Sequence, residues 1–485
     1  MKKIHFLLIF ILFALGSCKD DSLNIYPETY QNANSFFQTK AQFIQAVNGV
    51  YAPLQPIFTG QLWALAEMRS DNTSYQYNTG DRSGFPFEEL DEFREIDNNT
   101  HVANFFNNSY LSINRANVIL ERLPAATAVD QATRDQVTGE ASFLRAYNYF
   151  NLVRLYGDVP LVLKEVKSVD EAFAIGARKP AADIYTQITT DVQTAIAKLP
   201  DVYAVADKGR VTKGAARTLL AKVYMTQKNF AAAATELKAV VASAKYALNA
   251  AYADNFSITK ENGVESVFEI QYIEGANNEA SNFIYTFAPW NSAATVVGGG
   301  FAVNSGSAAG WNQPTQDLLD AYETGDLRKD VSIGTEYKVN NVVVPYVKKY
   351  IGAHAVRFQT ANNFPVYRYS DVLLMLAESL NESGFAASGE AEGYLNQIRK
   401  RAGLADKKPT SQADFRAAVA QERRVELAFE NHRWFDLLRY GTAEATIKAH
   451  GTKEKAAKTT VNAASYNTIN LLYLYPQRET LLLPK

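Results

Sequence analysis

The sequence predicts a mostly α fold, a scaffold of tetratricopeptide-like helix pairs interrupted by long loop-rich insertions and a few short strands. Three observations lead there. Apolar residues recur at three- and four-residue spacing over several stretches, the period of a helix with one buried face. Some of these stretches come in pairs whose small and bulky residues follow the tetratricopeptide pattern. Between about 250 and 365 the helical period fades and glycines gather, as loops require.

In chain order, the first clear stripe is Ile184, Ile188, Val192, Ala195 and Leu199, which Pro200 closes because proline cannot continue a helix. Gly214 to Gln227 and Phe230 to Tyr246 read as two helices broken at Lys228-Asn229. In this pair Leu220, Ala221, Tyr224, Phe230, Ala233 and Leu237 fall at tetratricopeptide spacing, where small residues let two antiparallel helices close on bulky ones. Arg217 stands where that pattern has tryptophan. Val264 to Tyr272 (VESVFEIQY) is strand-like, and Gly298-Gly299-Gly300, Gly306 and Gly310 mark mobile backbone. Helix returns over Asp371 to Glu382 and over Phe415 to Arg439. Leu376, Ala377, Leu380, Ala391, Leu395 and Ile398 form a looser second copy of the pair. Two distant copies do not make a regular solenoid, so the helix pairs form a frame and function is expected on the loops it carries.

Composition narrows the partners. With 49 basic and 51 acidic residues the net charge is −2, which provides no field to attract nucleic acid. The one cysteine, Cys18, follows Lys2, Lys3 and an apolar run, so residues 1–17 read as a secretory signal peptide. Leu15-Gly16-Ser17-Cys18 resembles the bacterial lipobox, in which the thiol is acylated and the mature chain starts at the cysteine. Two or three acyl chains hold a protein stably on a membrane it does not span. Lys19-Asp20-Asp21 resembles the signal that sends lipoproteins of some Gram-negative bacteria to the cell surface. With Cys18 acylated, no thiol remains for a disulfide, a CxxC metal site or a cysteine nucleophile.

Five segments share a further pattern: RAYNYFNLVRLYGDVPLV (Arg145 to Val162), RVTKGAARTLLAKVYM (Arg210 to Met225), YRYSDVLLMLAESLNESG (Tyr367 to Gly384), LNQIRKRAGL (Leu395 to Leu404) and ERRVELAFENHRWFDLLRYG (Glu422 to Gly441). In this order, behind a lipobox, they resemble the SusD/RagB family of cell-surface nutrient-binding lipoproteins, over essentially the whole mature chain. Gln477-Arg478 departs from the Ile-Pro more usual near the family's C-terminus. The resemblance implies a SusD-like N-terminal part over 18–250 and a C-terminal part over 251–485 that carries the ligand loops and closing helices. It also implies four tetratricopeptide-type helix pairs, an oligosaccharide ligand that is bound and not cut, and a SusC-like TonB-dependent outer-membrane transporter as partner. Some members deliver peptides instead.

The residues themselves leave three classes open: a glycan-binding protein, a surface glycosidase using acids such as Glu88, Glu89 or Asp91, and a helical adaptor. Glycosidase chemistry needs two carboxyl groups flanking one bond. The charged run Glu422, Arg423, Arg424, Glu426, Glu430, Arg433, Asp436 and Arg439 is read as structural, paired along one helix. His101, His354, His432 and His450 are isolated, and no HExxH, GxSxG, Walker or dinucleotide motif occurs, so neither metal nor cofactor is expected. Trp63, Trp290 and Trp311 lie outside the helical motifs and are ligand candidates, because a sugar ring stacks its C–H face on an indole; loop anchoring explains them equally. Asp71, Asn72, Tyr75 and Arg82 are further candidates, as hydrogen-bonding and stacking groups after Glu67-Met68-Arg69-Ser70, with an ordinary turn as the alternative.

Overall fold

The computed structural model describes residues 36–275, 279–292, 296–297 and 309–482. Cys18, Lys19-Asp20-Asp21, Gly298 to Gly300 and Gly306 lie outside the described residues. The frame is helical. Its longer helices are α1 (Lys40–Tyr51), α2 (Thr100–Arg122), α3 (Gln131–Tyr156), α4 (Ala181–Lys198), α5 (Lys213–Thr226), α6 (Phe230–Ala242), α7 (Tyr369–Ser383), α8 (Glu390–Arg401), α9 (Gln412–Glu426), α10 (Arg433–Tyr440) and α11 (Ala443–Ala457). Packed neighbours include α2 with α3, α3 with α4, α5 with α6, and α7 with α8.

Helix α3 is the axis of the N-terminal part. From Gly139 to Val153 every residue is buried, because α1, α2 and α4 all pack on it. Such a helix cannot show a one-sided stripe. Its buried Arg145 is held by Asp191 of α4, through Nε to Oδ2 at 2.8 Å and Nη2 to Oδ1 at 2.6 Å, and by Asn117 Oδ1 of α2 at 2.8 Å. Three helices are thus tied through one guanidinium. Gly157 ends α3 at φ 73°, a left-handed value that a side chain would strain. The stripe Ile184, Ile188, Val192 and Ala195 is buried on α4, which stops before Pro200 as expected.

The tetratricopeptide reading holds for α5 and α6. Leu220, Ala221, Ala233 and Leu237 are buried between them, and Arg217, standing in for the tryptophan, pairs with Glu236 across the two helices at 2.5 Å. Lys228 turns at φ 60° and the Asn229 side chain caps α6. Helix α6 ends at Ala242, four residues short of the expected Tyr246, and Ala244 lies at φ 51°.

A larger difference concerns Phe415 to Arg439, expected as one helix. It is two, α9 and α10, separated by a turn in which Phe429 (φ 66°) and Asn431 (φ 64°) are left-handed. The cause is Glu67. Its buried carboxylate accepts the backbone N–H groups of Phe429 and Asn431, both at 3.0 Å, which a continuous helix would have bonded internally.

The insertion between α6 and α7 contributes strand β1 (Ser266–Ile270), which pairs antiparallel with β2 (Phe364–Arg368). Buried ion pairs fix it to the frame. Arg368 bonds Glu265 (2.7 Å), Glu426 (2.8 Å) and Glu430 (2.8 Å), while Arg328 bonds Asp326 (2.8 Å) and Glu422 (2.6 Å). Lys349 reaches Glu430 at 2.7 Å. The charged run is therefore structural, but most of its partners lie on other elements and not one turn away.

Candidate functional site

Three of the sequence candidates meet on one face. After the π-turn Trp63–Glu67, the two-residue strand Thr73–Ser74 pairs with Gln313–Pro314 and so brings the segment 75–85 beside Trp311. Gly84 permits the contact: a methyl there would lie 1.9 Å from Trp311 Cζ2, so the indole rests directly on the backbone next to Arg82. Gln76 fixes the other side. Its N–H donates to Gly310 O at 2.8 Å, and its side-chain oxygen accepts the Trp290 backbone N–H at 2.6 Å. Trp290 O in turn accepts the Tyr337 hydroxyl at 3.3 Å.

Trp290 and Trp311 are partly exposed, and neither indole N–H has a hydrogen-bond partner among the described residues. Beneath Trp311 lie Tyr75 and Phe87, with ring centroids 5.9 Å and 5.1 Å away. The Arg82 guanidinium sits 4.5 Å from the Tyr77 ring centroid and is clamped by Glu88, Nη1 to Oε1 at 2.7 Å and Nη2 to Oε2 at 2.6 Å. Beside it Phe85 is 39% exposed, the fourth aromatic of the face after Trp290, Trp311 and Tyr77. Aromatic planes with guanidinium, indole and amide donors between them can stack on sugar rings and bond their hydroxyls.

Four candidates are corrected by burial. Trp63 is core: its Nε1–H donates to Thr59 O at 3.0 Å, and its ring packs on Phe87 and Phe287 at 4.7 Å and 5.3 Å. Asp71 accepts Arg433 Nε at 2.8 Å and Arg424 Nη2 at 2.9 Å. Burial pushes its carboxyl up, but the arginines hold it below the usual range. Asn72 bonds Arg424 Nε at 2.8 Å and Glu67 Oε1 at 3.3 Å. Tyr75 is buried under Trp311, and its hydroxyl donates to Glu92 at 2.5 Å. All four side chains bind the protein itself. Sequence reasoning missed Gln76 and Phe85; the signal for the second was an aromatic right after Gly84, beside the Arg82 already suspected.

The carboxylates of the glycosidase reading do not form an open pair. Glu88 clamps Arg82, and Glu89 accepts Asn99 Nδ2 at 3.1 Å. Asp91 is buried, accepting Tyr466 and Ser74 hydroxyls at 2.8 Å and 3.2 Å, and burial with Glu454 nearby pushes its pKa well up. Among the described residues no group of three or more His, Cys, Asp or Glu side chains is placed to hold a metal ion, and no helix is long and apolar enough to cross a membrane.

Comparison with known proteins decides the family. A model described as "SusD family" matches residues 334–479, and one described as "Starch-binding associating with outer membrane" matches residues 25–225. The chain belongs to the SusD/RagB family. Among its relatives, SusD-like protein P2 of Formosa agariphila is 29% identical over 478 residues, covering 90% of this chain and 91% of that one. The fold is that of solved members. A laminarin-binding SusD-like protein superposes with a TM-score of 0.76 at 24% identity, covering 92% of this chain and 98% of that one. Surface glycan-binding protein A from Bacteroides thetaiotaomicron, in complex with laminarihexaose, gives 0.74 at 21%, covering 91% and 97%.

Proposed function

We propose that this SusD/RagB protein is a non-catalytic, surface-exposed outer-membrane lipoprotein that binds oligosaccharides and passes them to a SusC-like TonB-dependent transporter. The observation that carries it is the face made by Trp290, Trp311, Phe85, Tyr77 and Arg82, where ring planes and spare donors lie together on a rigid helical frame. The relatives named for laminarin and laminarihexaose support the ligand class, and the outer-membrane description of the N-terminal family model supports the address. Acylation of Cys18 supplies the anchor. Trp311 and Arg82 bind, Gln76 positions, and no residue is assigned a chemical step.

Affinity electrophoresis in gels containing polysaccharides tests the binding. Retardation by at least one polymer, abolished by Trp311→Ala, is expected; binding to peptides and to no polymer would move the protein to the peptide-importing members. The anchor is tested apart from the ligand. Cys18→Ala should leave ligand binding of the purified protein intact and release it from the outer-membrane fraction, whereas full retention there would contradict the lipoprotein assignment.

A further inference from the structure

We propose that this face selects neutral glycans over acidic ones, because the cations of its clamp, Arg82, Arg94 and Lys458, are each already neutralised by a carboxylate of the protein; the inference rests on the glycan-binding reading above. Arg82 is the most exposed of these cations. Both its terminal nitrogens are taken by Glu88, whose carboxylate is only 4% exposed and lies behind the guanidinium. A bidentate clamp of this kind is the geometry a uronate or sulfate would itself require. What remains free on Arg82 is its Nε–H and one N–H on each terminal nitrogen, donors suited to hydroxyl groups.

The neighbouring cations follow the same rule. Arg94 lies 5.6 Å from the Phe85 ring centroid and pairs with the buried Glu92 through Nε at 2.6 Å. Lys458, beneath Tyr75, bonds Glu454 at 2.6 Å, Ser74 Oγ at 2.7 Å and Tyr75 O at 3.1 Å, which engages all three of its protons. Beside Arg82 the exposed Asp81 accepts the Ser83 backbone N–H and adds a negative charge, while the exposed Lys338 belongs to a separate hairpin and is no part of the clamp. Among the described residues, the guanidinium groups of Arg82 and Arg94 and the ammonium of Lys458 each already have a carboxylate counterion. An acidic polymer would meet buried carboxylates behind the aromatic planes, and a chain of net charge −2 adds no long-range attraction.

Affinity electrophoresis of the whole chain in laminarin, starch and galactomannan, against alginate, polygalacturonate and carrageenan, separates the outcomes. Retardation confined to one or more neutral polymers supports the inference. Equal or stronger retardation by an acidic polymer overturns it while leaving glycan binding standing, and retardation by none overturns both. Glu88→Gln, which releases Arg82, should bring a salt-sensitive gain in acidic gels on the order of tenfold, removed again by Arg82→Ala in the same chain. A folded Glu88→Gln variant with no gain contradicts the role given to that pair. If Glu88→Gln does not fold, Asp81→Lys on the exposed rim adds the positive charge instead, and its failure to gain acidic binding counts equally against the inference.

Discussion

At the scale of single residues, Glu67 shapes more of the molecule than its sequence neighbourhood reveals. It takes two backbone N–H groups and the Asn72 amide, and burial raises its pKa to about 7 against those lowering bonds. Glu67→Ala leaves buried donors unmet and should cost about 2–5 kcal/mol, read from urea denaturation at constant slope. His101 gives a pH test. It stacks on Phe87 at 3.7 Å, and burial lowers its pKa to about 4. A depressed histidine contributes stability that is present above its unfolded pKa of about 6.5 and lost as pH falls through about 4. Wild type should therefore lose stability relative to His101→Phe between those values, with a flat difference above pH 7 in paired denaturation curves. Neither role was legible from sequence. Glu67 acts on residues 362 and 364 positions away, and Trp63 is buried by Phe287, more than two hundred residues later.

At the scale of elements, legibility followed how local the cause is. The α4 stripe and the α5–α6 pair are set by side chains three and four residues apart, and both form as their spacing predicts, α6 ending four residues early. The break between α9 and α10 is set from outside, so a run with charges at helical spacing looked unbroken. The same charges explain how an irregular insertion is held. Arg368, on β2, meets carboxylates from β1's flank, α9 and the turn after it. Arg368→Ala would strand those carboxylates in the interior and should destabilise by about 3–5 kcal/mol. Thermal unfolding would show the loss, and hydrogen exchange should rise first at Ser266–Ile270. The α5 cap is a milder case: Thr212 Oγ1 accepts Ala215 N at 3.2 Å, and Thr212→Ala should cost about 1 kcal/mol in the same assay.

At the scale of the whole molecule, a rigid helical frame carries one face of partly exposed aromatic planes whose clamp cations are satisfied from within. The family could be read from five ordered motifs, the helix pairs from residue spacing, and the loop-rich insertion from fading periodicity and glycines. Which loop aromatics face outward could not, since exposure depends on packing partners: Gly84 admits Trp311 to the surface, while Phe87 and Phe287 enclose Trp63. That contrast makes the chain its own reporter. Of its four tryptophans, Trp63 and Trp434 are 1% and 0% exposed, and only Trp290 and Trp311 are partly open. Tryptophan fluorescence during titration with laminari-oligosaccharides, or with whichever neutral oligosaccharide matches a polymer that retards the protein, is the most direct measurement. The account predicts a saturable change in wild type, and its loss together with binding in a folded Trp290→Ala/Trp311→Ala variant. Unchanged affinity in that variant would contradict it.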